Sequence, residues 1–181
     1  CEARSYGKHP IGAHWQKRAS ADVDQVRSLF RNHRGNIGIV LGGLVVIDVD
    51  GPAGFESLAS LGPMPLTLTS RSGSGIGEHR VYRYARHQDA SQVTNRRLLP
   101  GLDIKTRTGQ IAVAPSLHRL GHHYEWTVPM LPATLPDELY ERLVRRAEVA
   151  PVATVHELRP SPGTLLRRAE AYLARIPPAI S

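Results

Sequence analysis

The chain has 181 residues, 41% of them apolar, which is enough for one domain of ordinary size with an appendage. No apolar run approaches the roughly 18 residues of a membrane-spanning helix, and the single cysteine, Cys1, excludes an internal disulfide and a cysteine-based zinc site. The 23 basic residues outnumber the 16 acidic ones, and the excess falls almost wholly before residue 137, as suits a polyanionic partner.

One cysteine fits a reducing, cytoplasmic setting. The N-terminus lacks the charged, apolar and small-residue order of a signal peptide, and Cys1 reads as a processing edge. Lysine occurs only at Lys8, Lys17 and Lys105; arginine carries the rest of the positive charge.

Residues 1–19 are polar, broken by Gly7, Pro10 and Gly12, and read as an irregular arm. Ser20 is placed to cap a helix over about 21–32, with Val23, Val26, Leu29 and Phe30 on one face. A strand is expected at 36–41, a hairpin turn at Gly42-Gly43 and a second strand at 44–50. The second strand is apolar on both faces until its end, which places it centrally in a sheet. Gly51-Pro52 breaks it, and a short helix follows with Phe55, Leu58 and Leu61 inward, ending at Gly62-Pro63-Met64-Pro65.

Further strands are expected at 66–69 and 79–84, then a polar loop over 85–99. Residues 102–105 and 110–114 read as paired strands around Thr108-Gly109, and 123–127 as one more. Three prolines between Pro129 and Pro136 mark a linker, with amphipathic helices at about 137–148 and 164–175 separated by a proline-containing segment, 151–162. The order of elements predicts an α+β core on 1–128 and a helical tail on 129–181.

The sharpest chemical feature is Asp48-Val49-Asp50. Residues two apart on a strand share a face, so two carboxylates stand together at the end of an apolar strand. They repel unless a cation lies between them, and their hard oxygens suit Mg²⁺ or Mn²⁺. The plainer alternative is an Asp pair that caps the turn at Gly51. Asp103 is a candidate third carboxylate, with Lys105 on its face; the plainer reading is a surface charge pair.

Arg71 to Gly77 is a Gly/Ser-rich loop of the kind whose N–H groups approach phosphate. It has no Gly-Lys-Ser/Thr ending and precedes a strand, so it is neither a Walker A loop nor a Rossmann turn. His79 and Arg83 share a face beyond it, and His79 is equally readable as a hydrogen-bonded structural histidine. Ser116 is placed to meet a phosphate or to start a turn after Pro115, and Tyr124 and Trp126 to stack a base or to join the core.

The order of these features decides the reading. Gly7-Lys8-His9-Pro10, Trp15 and Asn36-Ile37-Gly38-Ile39 precede Val46-Ile47-Asp48-Val49-Asp50. Thr69 to Gly75, His79, Gly101-Leu102-Asp103-Ile104-Lys105 and Val113-Ala114-Pro115-Ser116 come next, and Gly121, Tyr124 and Trp126 close the series. Over about residues 7–128 this resembles the bifunctional DNA primase/polymerase (prim-pol) domain of the archaeo-eukaryotic primase superfamily. Such domains occur in replication proteins of plasmids, phages and integrated elements.

The resemblance implies a primase-like core with an RRM-like mixed sheet packed on a second small α/β unit. It implies that Asp48, Asp50 and Asp103 hold two divalent ions, Mg²⁺ or Mn²⁺, and that His79 meets the nucleotide's phosphates. Lys105, Arg71, Ser72, Arg83 and Ser116 are its further candidate phosphate contacts. The implied partners are a single-stranded DNA template and nucleoside triphosphates, with no membrane. A helicase or ATPase module is expected beyond the tail, this chain then being the N-terminal part of a longer protein. The sequence departs from the family pattern at Gly77, where serine is frequent, at Glu78, and in a longer loop before His79. Two other readings are a non-catalytic origin or single-strand binding module on the same fold, and a metal-dependent nuclease.

Overall fold

The computed structural model describes residues 7–145, all within the first of two units, Cys1–Arg145. Cys1, the segment 151–162, the expected helix at 164–175 and the last residues of the one expected at 137–148 lie outside the described residues. In chain order the elements begin with α1 (Trp15–Arg18), α2 (Val23–Phe30), β1 (Ile37–Val40), β2 (Leu44–Asp50) and α3 (Gly51–Ala59). β3 (Leu68–Arg71), β4 (Gly77–Arg83), β5 (Arg96–Leu99) and β6 (Leu102–Lys105) follow. β7 (Gln110–Val113), β8 (Glu125–Val128), β9 (Ala133–Thr134) and α4 (Asp137–Val144) complete the series.

The fold is α+β. β2 is the hub, buried from Val45 to Val49, and it pairs antiparallel with β4 on one edge and β6 on the other. The large sheet runs β5-β6-β2-β4-β3-β8, and β9 pairs parallel with β4. β1 and β7 form a separate antiparallel ribbon.

Strand alternation sorts the side chains of β2 between two cores. Val45, Ile47 and Val49 join Tyr82, Leu102 and Ile104 against Leu58 of α3 and Leu139 and Leu143 of α4. Val46 faces the other way with Val81 and is covered by Ile111 and Val113 of the ribbon. The next residues on that second face are Asp48 and Asp50. The apolar cover therefore gives way to carboxylates within one strand.

Several expected pairings differ from those formed. Gly42-Gly43 does turn the chain, with the Leu44 N–H donating to the Leu41 carbonyl at 2.9 Å. The strands it joins enter different sheets, because both edges of β2 are taken by β4 and β6. Likewise β6 and β7 do not pair with each other. Thr106 to Gly109 carries the chain out of the large sheet and into the ribbon.

The loop expected at 85–99 contains a short 3-10 turn at Ala90–Gln92 and the edge strand β5. Its Arg96 donates to the Leu143 carbonyl at 2.8 Å, closing the last turn of α4. Asp22, rather than Ser20, caps α2 by accepting from the Gln25 N–H at 2.8 Å. Phe55 is largely exposed, while Leu58 is buried.

The stretch expected to be a linker from Pro129 carries β9 and the buried Leu135, and α4 buries Leu139 and Leu143. Leu139→Ala is accordingly expected to cost about 2–5 kcal/mol of stability, read as a lower urea midpoint at unchanged slope. An unchanged midpoint would place α4 outside the core.

Candidate active site

Asp48 stands opposite Asp103 on β6 and opposite His79 on β4, and His79 stands opposite Ser70 on β3. One row of side chains thus crosses four strands on a single face. Asp50 lies one step further along, opposite Gly77. The acids arrive there because the end of β2 runs antiparallel to the start of β6, which brings Asp48 opposite Asp103.

The carboxylates are matched by cations of the chain itself. Asp48 Oδ1 lies 3.3 Å from His79 Nε2, and Asp48 Oδ2 lies 2.6 Å from Lys105 Nζ. Asp103 Oδ1 accepts from Arg97 Nε at 3.1 Å. Burial alone would raise the Asp48 carboxyl, but the hydrogen bond and charge of His79, with those of Lys105, hold it far below the usual range. Asp50 is raised, first by burial and then by the negative charge of Asp48, with Asp103 adding to it. Burial would lower Lys105, yet the neighbouring Asp48 carboxylate outweighs it and keeps the ammonium charged. Among the described residues no three His, Cys, Asp or Glu side chains converge as a ready-made metal cluster.

His79 is buried, and its Nδ1 is the one enclosed side-chain polar atom among the described residues without a hydrogen-bond partner. An orphaned buried nitrogen is costly. The ring stacks on Tyr124 at 5.9 Å between centroids, and Tyr124 meets His118 edge-on at 6.1 Å. The Tyr124 phenol is pushed up to about 12 by burial and by the charges of Asp48 and Asp50. It is a neutral wall beside the acids at physiological pH.

Glycines set the backbone around this row. Gly101 adopts φ +64°, and its carbonyl accepts from the Asp50 N–H at 2.8 Å. A Cβ at Gly77 would lie 2.4 Å from the Val49 carbonyl oxygen, which explains glycine at a position where the family frequently has serine. Glu78 points to the opposite face from His79 and binds Arg80 Nε at 2.5 Å, away from the acids. The Gly/Ser loop closes on itself through the Ser72 N–H and the Gly77 carbonyl, 2.8 Å apart, and through the Ser72 and Ser74 hydroxyls, 2.7 Å apart.

The row therefore brings together Asp48, Asp103, His79 and Lys105, with Asp50 and Ser72 at its open end. Arg71 is paired with Glu125 at 3.1 Å. Arg83 lies opposite Leu44, four residues along β4 from His79, or roughly 13 Å at strand rise. The Ser116 hydroxyl accepts from the Ile37 N–H at 2.8 Å and faces the Ile37 carbonyl at 3.2 Å, so it fastens the start of the ribbon.

Sequence reasoning missed Arg97, whose place opposite Asp103 is visible only once β5 is known. It also gave no role to Asn36, which bridges three segments. Asn36 Nδ2 donates to the carbonyls of Gly7 (2.9 Å) and Leu117 (2.8 Å), and Asn36 Oδ1 accepts from the Leu117 N–H. Gln110 Nε2 donates to the Lys8 carbonyl at 2.5 Å. The arm is thereby pinned to the ribbon, and the Lys8 charge is felt at Asp50.

No curated protein matches the chain. The family model described as bifunctional DNA primase/polymerase, N-terminal, matches residues 1–138. That match spans every element that builds the acidic row, and the chain belongs to this Prim-Pol family.

Proposed function

We propose that this chain is a template-dependent DNA primase/polymerase that transfers a nucleotidyl group to a 3′-hydroxyl at the row Asp103–Asp48–His79. The family is one of DNA primases and polymerases, divalent-metal-dependent nucleotidyltransferases in general. The observation that carries the reading for this chain is the register of Asp48 between Asp103 and His79.

The donor set fits a hard divalent ion. Three carboxylates share one face, and Asp50 is raised by burial and then by the charges of Asp48 and Asp103, the latter a repulsion that a cation relieves. Asp48, Asp50 and Asp103 would hold two such ions, Mg²⁺ or Mn²⁺. Ions held by these carboxylates would supply Lewis acidity for the attacking hydroxyl and positive charge for the leaving pyrophosphate.

The chain's own groups do the rest. Lys105 and Arg97 occupy the carboxylates, and both are positioned to turn to phosphate oxygens when a metal replaces them. His79 offers its unpartnered Nδ1 to the triphosphate, held by Asp48 on one side and Tyr124 on the other. Ser72 is the Gly/Ser loop's candidate phosphate contact, whereas Arg71 lies opposite Glu78, on the face turned away from His79, and is paired with Glu125. Ser116 is engaged with Ile37, and its role in this reading is to shape the site.

His79→Ala is expected to raise the nucleotide KM about 10- to 100-fold, from the ~1.5–3 kcal/mol of a hydrogen bond to a charged group. A steady-state titration of nucleotide against a fixed primer–template checks this. The function itself is tested with a labelled primer on a single-stranded template. Lengthening by the complementary nucleotide, only when metal and nucleotide are both present, supports the proposal. Shortening with metal alone would show a nuclease, and binding without either change would show a template-binding module.

A further inference from the structure

We propose that the cavity between the arm, α2 and the outer face of the β1–β7 ribbon seats the single-stranded DNA template, with bases stacked on Trp15 and Phe30 and phosphates on Lys8 and Arg18. This deepens the polymerase reading above and rests on it. The cavity measures about 900 Å³, within the range of about 300–1,000 Å³ typical of small-ligand sites. Its lining runs over the arm, α2 and both strands of the ribbon.

Among the described residues nothing buries the helix that walls it. α2 places Val26, Leu29 and Phe30 on one side, yet none of its residues is buried. An amphipathic helix in a monomer ordinarily spends that stripe on the core. On the opposite wall β1 presents Gly38, over which the Gln110 side chain lies, so that this wall is polar where the helix is apolar. Among the described residues the apolar side of α2 is thus left unburied.

The charge of the same segment selects the occupant. Residues 7–36 carry six Lys or Arg and only two acids, Asp22 and Asp24. Both acids are engaged, Asp22 as the cap of α2 and Asp24 with Arg27 at 3.2 Å. An apolar peptide would not require this surplus, and a duplex would not reach rings set inside a cavity. Basic side chains interleaved with aromatic rings suit a single strand, whose bases expose their π faces and whose backbone carries the negative charge.

The position also suits a template. Lys8 lines the cavity, its backbone is clamped by Gln110 of β7, and the same ribbon covers Val46, the residue before Asp48 on that face of β2. The cavity therefore lies on the ribbon that borders the acidic row.

The test uses the full chain in EDTA, with a fluorescein-labelled thymidine oligomer read by anisotropy. Trp15→Ala and Phe30→Ala are each expected to weaken binding about 5- to 100-fold, the effect of one lost base stack. Trp15→Phe keeps a ring and is expected to retain most of the affinity, which separates stacking from loss of fold. Arg18→Gln is expected to reduce the slope of log affinity against log salt by about 0.7, one phosphate contact on a single strand. An oligomer carrying 5-iodouracil is expected to photo-cross-link at Trp15 or Phe30. If both alanine variants bind like the unaltered chain and the cross-links map elsewhere, the cavity is not the template seat. The polymerase reading is then judged separately, by whether the unaltered chain extends a primer.

Discussion

Asp48→Asn is expected to lower primer extension by at least about 10³-fold, the scale on which a preorganised electrostatic group at a reaction centre acts, while the protein stays folded. Asp48 is paired with both His79 and Lys105, and it stands between Asp103 and His79 in the strand register. Asparagine keeps its shape and one oxygen, so Val46, Val49 and the neighbouring strands need not move. What it removes is the charge. Lys105 is partly exposed and keeps Asp103 and Asp50 as neighbouring anions, so the uncompensated ammonium can turn to water and the fold survives. Extension by single-turnover incorporation, alongside a thermal melt, separates the two effects. An Asp48→Asn protein that extends at more than about a tenth of the normal rate would remove Asp48 from the chemistry.

Gly101→Ala is expected to cost about 2–4 kcal/mol, the sum of a left-handed backbone that disfavours a Cβ and of overpacking against rigid neighbours. Its φ is +64°, and a Cβ there would lie 2.6 Å from the Gly54 nitrogen and 2.7 Å from the Asp50 carbonyl oxygen. Backbone cannot step aside as the tip of a side chain can. Because the Asp50 N–H donates to the Gly101 carbonyl, relief of the clash displaces Asp50 as well. Gly62→Ala is the control: φ is +86° but no atom lies within 4 Å of its Cβ, so only the conformational cost of ~1–2 kcal/mol remains. Urea unfolding of the two variants, with extension measured on each, is expected to show a larger loss of both at Gly101. Equal losses would mean that the close approach of α3 to the β5–β6 turn is not what sets the position of Asp50.

Strong local patterns were legible in the sequence, and pairing was not. The apolar run from Leu44 to Val49, too greasy for an edge, marks β2 as central, and Asp48-Val49-Asp50 places two carboxylates on one face at its end. The same alternation puts Asp103 and Lys105 together, and the register then lays Asp103 beside Asp48. Partner choice escaped because it depends on which edges are already occupied. Gly42-Gly43 and Thr108-Gly109 turn the chain at the expected places, but each hands it from one sheet to the other. β5 was hidden by Arg96-Arg97, charges that protect an exposed edge and resemble a loop. With β5 went Arg97, the cation on Asp103. Lys105, expected as a phosphate contact, is bonded to Asp48. Ser116 and Asn36 carry polar groups whose partners lie roughly 80 residues away, and no local signal names them.

The most direct measurement is Mn²⁺ uptake followed by electron paramagnetic resonance on the unaltered chain and on Asp48→Asn, Asp50→Asn and Asp103→Asn. The account predicts binding by the unaltered chain that each variant weakens by more than about tenfold, since losing a carboxylate ligand exceeds the 10- to 100-fold cost typical of losing its outer partner. Equal Mn²⁺ uptake by the unaltered chain and all three variants would contradict it.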